Sequence, residues 1–335
     1  MKKTRFLTLL FIVFVLCAMI SAIDLYTESE PKSSSDTAVR NYVYLSPNKE
    51  ESFWCSIALG IREADLAGGT DTLLVEYGDN NSNIPEYFRD ASLSGPDGII
   101  MKGADNADEQ IQNAVSAGIP VIFYNSDFPS SNRTCYIGID NYKAGLQAAE
   151  TLLDISGQKG KILLIVRSKT ASSQIDRIKG IQDKLKEFPD MEIADIIEDN
   201  GNLLELKEKL LLVEKENPDI QAIISMEGIA SDNIGDLLYG GQRKNDDLRI
   251  IVFDFTEKTE EYLRNGCYDA IIMQDTRQIG FQAVSALNKY YETKDETGTG
   301  SIEDVIYLDT ICITKNNIEE YVQEDDWQTL EWNSY

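Results

Sequence analysis

Residues 249–291 read RIIVFDFTEKTEEYLRNGCYDAIIMQDTRQIGFQAVSALNKYY, and their order of patterns decides the fold. RIIVFDF and YDAIIMQD are apolar at consecutive rather than alternate positions, so both faces of each run must be buried. Each run ends on polar residues, Asp254 in one and Gln274-Asp275 in the other, and a helix-length amphipathic stretch follows, at 256–265 and 276–291. Strand followed by helix, twice over, is the unit from which parallel sheets covered by helices are built.

The same alternation extends outward. Upstream come YVYL, then 51–66; TLLVEYG, then 83–92; GIIMKG, then 106–117; VIFYNS; and CYIGID, then 141–155. KILLIVRS, then 173–187; IADII, then 202–216; and AIISME, then 229–238 complete the approach to residue 249, and VIYLDTICI follows the last helix. Eleven strands are too many for one ordinary open sheet, and the roughly 295 residues from Asn41 onward exceed a typical single core. The pattern predicts an α/β chain of two lobes.

The amino-terminal stretch MKKTRFLTLLFIVFVLCAMISAI places a basic start before an apolar run from Phe6 to Ile23. These 18 residues would make a helix of roughly 27 Å, close to the thickness of a bilayer. The charge distribution puts the start in the cytoplasm and the remainder outside. Residues 6–23 therefore read as a membrane anchor or a signal segment. Ile20-Ser21-Ala22 is a poor cleavage pattern, and Leu16 before Cys17 does not match a lipoprotein signal. Residues 24–40 read as a polar spacer, and 316–335 as an acidic, aromatic tail, either packed on a lobe or docking a membrane partner.

Composition narrows the chemistry. A formal charge of -26 repels nucleic acid. With no histidine, the chain can form neither a Ser-His-Asp triad nor a histidine-ligated metal site. Cys55, Cys135, Cys267 and Cys312 form no C-x-x-C pair and read as small apolar residues. No cofactor and no metal is implied.

The motifs at the strand ends resemble those of the type I periplasmic sugar-binding proteins over about residues 41–315. The resemblance is carried by Glu51-Ser52-Phe53-Trp54, Gly98-Ile99-Ile100, Ala117-Gly118-Ile119-Pro120-Val121-Ile122 and Gly138-Ile139-Asp140-Asn141 with Ala144-Gly145. Further carriers are Arg177-Ile178-Lys179-Gly180-Ile181, Asn217-Pro218-Asp219-Ile220, Ile251-Val252-Phe253-Asp254 and Gln274-Asp275-Thr276-Arg277-Gln278-Ile279-Gly280. The resemblance implies two similar lobes joined by three crossovers, near 139–140, 274–275 and 303–306. Lobe 1 would comprise 41–139 plus 276–303, and lobe 2 would comprise 140–275 plus 306–315. Ligand would sit in the cleft, beyond the carboxyl ends of the strands.

By the same resemblance, Phe53 or Trp54 stacks on a sugar ring, and Asp254 and Gln274 bind hydroxyls. The alternatives are core packing for the aromatics, a helix cap for Asp254 and a hinge hydrogen bond for Gln274. Arg177, in an R-x-x-G helix start, binds hydroxyls or makes a salt bridge within its lobe. Lys102 faces the cleft or pairs with Asp105 or Asp108. Asn125-Ser126, with Asp127 next, stands where ribose-type binders carry Asp-Arg, and Glu227-Gly228 where they often carry Asn-Asp. These departures argue against ribose and leave either a different hydroxyl pattern or a cationic group on the ligand.

The function implied is capture of a sugar or similar polar molecule outside the cytoplasmic membrane, for an ABC permease. The alternative is an anchored sensor that signals to a histidine kinase. A remote third reading is a glycosidase using Asp254 and Glu227 as acid and base. A transcription regulator is disfavoured, because residues 1–40 carry no helix-turn-helix.

Overall fold

The computed structural model describes residues 39–48, 51–78, 80–239, 247–296 and 298–321. The apolar run 6–23, nearly all of the spacer and the tail beyond 321 lie outside the described residues. Among the described residues no helix is long and apolar enough to cross a membrane.

The chain forms two six-stranded sheets covered by helices. The first holds β1 (Asn41–Ser46), β2 (Asp71–Glu76), β3 (Gly98–Lys102), β4 (Val121–Tyr124), β5 (Cys135–Ile139) and β11 (Val305–Leu308), in the order β11-β5-β4-β3-β1-β2. The second holds β6 (Gly160–Val166), β7 (Met191–Glu198), β8 (Ile220–Ser225), β9 (Arg249–Phe253), β10 (Ala270–Gln274) and β12 (Thr310–Ile313), in the order β12-β10-β9-β8-β6-β7. Every recorded pairing is parallel except that of β10 with β12. The helices that matter to the cleft are α1 (Ser52–Gly68), α4 (Asn141–Ser156), α5 (Ser172–Leu185), α7 (Gly228–Tyr239) and α9 (Thr276–Glu292), with α2, α3, α6 and α8 being Ile84–Leu93, Asp108–Ser116, Leu203–Glu216 and Glu257–Asn265.

The central strands are buried on both faces, as their unbroken apolar runs require. Ile250, Ile251, Val252 and Phe253 are fully buried but divide between the two cores that flank the second sheet. Burying side chains of this size stabilises the fold by roughly 1.5–3 kcal/mol each relative to exposure.

The two sheets share one plan. Asp140-x4-Gly145-x-Gln147-Ala148 at the start of α4 is repeated as Asp275-x4-Gly280-x-Gln282-Ala283 at the start of α9. Each aspartate caps its helix, Asp140 accepting from the Lys143 N–H at 3.0 Å and Asp275 from the Gln278 N–H at 2.9 Å. Each glycine admits a neighbouring helix. A Cβ at Gly280 would stand 1.9 Å from the Ile57 carbonyl oxygen of α1, and one at Gly145 would stand 2.1 Å from the Arg177 carbonyl oxygen of α5.

The third passage between the sheets differs from the expectation. VIYLDTICI is two strands rather than one: β11 runs beside β5 in the first sheet, and β12 runs against β10 in the second. The crossing is at Asp309, not near 303–306, and residues 305–308 belong to lobe 1. The outer edge of β5 supplies the physical reason, since Val305–Leu308 fills its hydrogen bonds. Arg133 also anchors the approach, donating to the Asp304 carbonyl at 2.9 Å and to its carboxylate at 2.7 Å.

Replacing Gly280 by alanine should separate α1 from α9 and cost about 1–3 kcal/mol, read as a lower urea midpoint. A loss under about 0.5 kcal/mol would mean that this helix contact is not limiting.

Candidate functional site

The carboxyl ends of the strands in both sheets open onto one cleft of about 1110 Å³. In lobe 2, Asp254 follows β9 with φ 69°, a left-handed conformation that turns the chain sharply off the strand. Its N–H donates to the Ile272 carbonyl at 3.1 Å, and its Oδ1 accepts from Gln274 Nε2 at 2.8 Å. Burial raises the Asp254 carboxyl above its ordinary range, opposed by the Arg177 charge and by hydrogen bonds from Gln274 and the Gly228 N–H at the start of α7. Asp254 and Gln274 thus form one unit across neighbouring strand ends.

Arg177 is 2% exposed yet touches the cleft. Its Nε donates to Asn141 Oδ1 at 2.9 Å, its Nη1 donates to the Met226 carbonyl, and its guanidinium lies 4.4 Å from the Phe253 ring centroid. Among the described residues it makes no direct salt bridge, so that alternative gives way to these contacts. Burial lowers its pKa, and the nearby Asp254, Tyr136 and Glu227 oppose the shift.

Glu227 precedes α7 and accepts the Ala230 N–H at 2.9 Å. Burial, reinforced by Asp199, pushes its carboxyl up to about 7, against the pull of Arg167.

Lobe 1 contributes Phe53, Trp54, Lys102 and Asn125. Phe53 is half-buried, whereas Trp54 is buried in the lobe 1 core. Their rings meet edge to face at 4.6 Å, and Trp54 Nε1 donates to Glu51 Oε2 at 2.9 Å. Phe53 is the more available for stacking, and Trp54 backs it. Lys102 Nζ stands 5.9 Å from the Trp54 ring centroid, a cation over an aromatic face. Asn125 follows β4 with φ 62°, the lobe 1 counterpart of Asp254.

Asp127 does not belong to this group. Its Oδ2 accepts from Arg133 Nη2 at 2.8 Å, and it does not line the cleft. The Arg133 side chain is 2% exposed, and a buried guanidinium needs that carboxylate for charge balance. Asp127 serves the frame of lobe 1.

Many cleft residues escaped the sequence reading, Arg167 and Gln174 among them. Arg167 follows β6, and Gln174 lies in the first turn of α5, one turn before Arg177. Arg167 was visible as the polar end of KILLIVR by the same rule that selected Asp254. The carboxylates Asp254 and Glu227 both stand on the lobe 2 wall.

Two hinge-linked α/β lobes with polar strand ends converging on one cleft define a binding protein of the periplasmic type. The model of the periplasmic binding protein domain matches residues 42–295, and the chain belongs to that family. A D-apiose import binding protein of Paraburkholderia graminis is 20% identical over 276 residues, covering 82% of this chain and 86% of that protein. GanP, a glucose-galactose binding protein from Geobacillus stearothermophilus, has the same fold, with a TM-score of 0.77, 24% identity and coverage of 84% of this chain and 99% of that one. XylFII superposes with a TM-score of 0.70 at 25% identity, covering 83% of this chain and 99% of its own, and has also been solved in a complex with LytSN. The chain is a binding protein, not an enzyme, which removes the glycosidase reading.

A carboxyl raised on folding stabilises the protein while protonated. Its contribution is present below the unfolded value of 4.5 and lost as pH rises through about 7. Stability of the ligand-free chain should therefore fall by about 1 kcal/mol per pH unit between roughly pH 5 and 7. Glu227→Gln should flatten that slope in urea titrations, and an unaltered slope would assign it to other groups.

Proposed function

We propose that this chain captures a sugar or sugar-like polar molecule in the interlobe cleft, outside the cytoplasmic membrane, and closes on it for ABC-type uptake. The observation that carries this reading is the Asp254–Gln274 pair, at 2.8 Å, on a wall shared with Arg177 and Glu227 in the cleft that Phe53 and Trp54 also line. Buried carboxylate and amide oxygens need donors, and sugar hydroxyls supply both donors and acceptors. The aromatic ring of Phe53 suits the apolar face of a pyranose or furanose. The D-apiose import binding protein supports the same ligand class. Arg177 tunes the wall through charge, Lys102 and Asn125 add polar contacts from lobe 1, and ligand favours whichever lobe arrangement binds it more tightly.

A second reading gives the same closure a different listener. The apolar run 6–23 lacks a lipoprotein signal and has a poor cleavage pattern, which suits an anchored sensor that signals to a histidine kinase. The likeness to XylFII, seen elsewhere bound to LytSN, points the same way.

Thermal melts of the full chain, in a detergent without a sugar headgroup, test the ligand class against pentoses, hexoses, inositols and amino acids. At least one sugar should raise Tm by several degrees, and Asp254→Ala or Gln274→Ala should abolish the rise. A folded protein indifferent to every sugar would overturn the reading.

A further inference from the structure

Helix α6 (Leu203–Glu216) has a core face and a second apolar face that points away from it. Leu206 and Val213 are buried under the second sheet's helices, with Leu210 packed beside them. Leu204, Leu211 and Leu212 are instead 72%, 57% and 58% exposed. At about 100° per residue, Leu204 and Leu211 lie one above the other, far round the helix from the core face, with Leu212 to one side. Exposed leucines scattered singly are ordinary, as Leu66, Leu73 and Leu93 are on three separate elements. On α6 they form a stripe that the folding of lobe 2 leaves uncovered.

The charges along the stripe are as regular as the leucines. Lys207 and Glu214 flank it on one side, and Glu208 and Lys215 on the other. Among the described residues none of these four enters an ion pair. The pair within the helix, Lys209 with Glu205 at 2.5 Å, lies on another side, where Lys209 also donates to the Glu198 carbonyl. The stripe is therefore neutral on a chain whose formal charge is -26. Two such chains repel each other over most of their surface, and a neutral apolar stripe is where they approach at least cost.

Self-complementarity identifies the occupant. A two-fold axis parallel to the helix brings each flank of one copy against the opposite flank of the other, at nearly the same height. Lys207 then meets Glu208 of the second copy and Glu214 meets Lys215, each pair occurring twice, while Leu204 and Leu211 close on their own counterparts. The offset within each ion pair is one residue, about 1.5 Å, well within reach of these side chains. An antiparallel pairing centred on Leu211 also matches charge, Lys207 with Glu214 and Glu208 with Lys215, but sets Leu204 opposite Pro218 rather than a leucine. A partner of another kind would require no such match of the stripe with itself.

We propose that the α6 stripe is a self-association surface on which two copies of this chain pack in parallel about a two-fold axis. One 14-residue helix against its copy is a small interface, so the association is weak, in the micromolar range. No residue of α6 lines the cleft, so each copy keeps its own ligand site.

Sedimentation of the full chain in a density-matched detergent, from about 1 to about 200 µM, tests the surface. The unaltered chain should pass from monomer to dimer across that range, and Leu211→Ser should weaken the dimer at least about tenfold. Glu208→Lys sets lysine against Lys207 of the second copy and should weaken it about fivefold or more, and adding Lys207→Glu should restore it. Restoration by Lys215→Glu instead would overturn the parallel arrangement in favour of the antiparallel one. A chain monomeric at every concentration would overturn the surface altogether. So would a dimer indifferent to both Leu211→Ser and Glu208→Lys, as association through residues 6–23 alone would give.

Discussion

The wall of the cleft depends on one buried cation. Arg177 gives up its hydration, a cost of several kcal/mol for an isolated charge. In return its guanidinium donates to Asn141 at the start of α4, donates to the Met226 carbonyl beyond β8 and lies over Phe253 at the end of β9. These three attachments belong to the segment just past the first crossover and to two central strands. They make the position of Asp254 a property of the hinge as well as of its own strand. The carboxylate in turn lessens the cost of the cation, so neither residue has a settled environment without the other.

A common plan for both lobes makes their differences informative. α1 against α9 and α4 against α5 meet through glycines whose missing Cβ atoms let backbone touch backbone. Asn125 and Asp254 occupy matching strand ends, both with a left-handed backbone that costs about 1 kcal/mol or more for a residue with a side chain. One presents an amide and the other a carboxylate. At these two matching positions, then, lobe 1 offers the cleft a neutral group and lobe 2 an acidic one.

Most of the framework was readable because its central strands are buried on both faces. Runs such as GIIMK and RIIVF leave no ambiguity about which side is inward. The third passage was unreadable because Val305–Leu308 and Thr310–Ile313 are each strand-like, and only Asp309 between them marks a change of sheet. In the site, Asp254 and Gln274 could be found because they sit at strand ends, where the chain must point at the cleft. Asp127 follows Asn125 by two residues and looked equivalent, but the turn after β4 sends it to Arg133, a partner that spacing alone does not reveal. Gln174 gave no signal, since a lone glutamine in a helix looks solvated until Met226 is seen to hold it.

The crossing at Asp309 also governs how the molecule is made. The first sheet opens with Asn41 but acquires β11 only at Val305, after all of β6 to β10 has been synthesised, and the second closes with β12 immediately afterwards. A nascent chain emerging residue by residue therefore carries both sheets unfinished, with the edges of β5 and β10 bare, until Val305–Leu308 and Thr310–Ile313 have left the ribosome. Exposed edges of this kind pair readily with other chains. Maturation of the two lobes is consequently almost simultaneous, and a chain cut short before residue 305 would lose the edge strands of both.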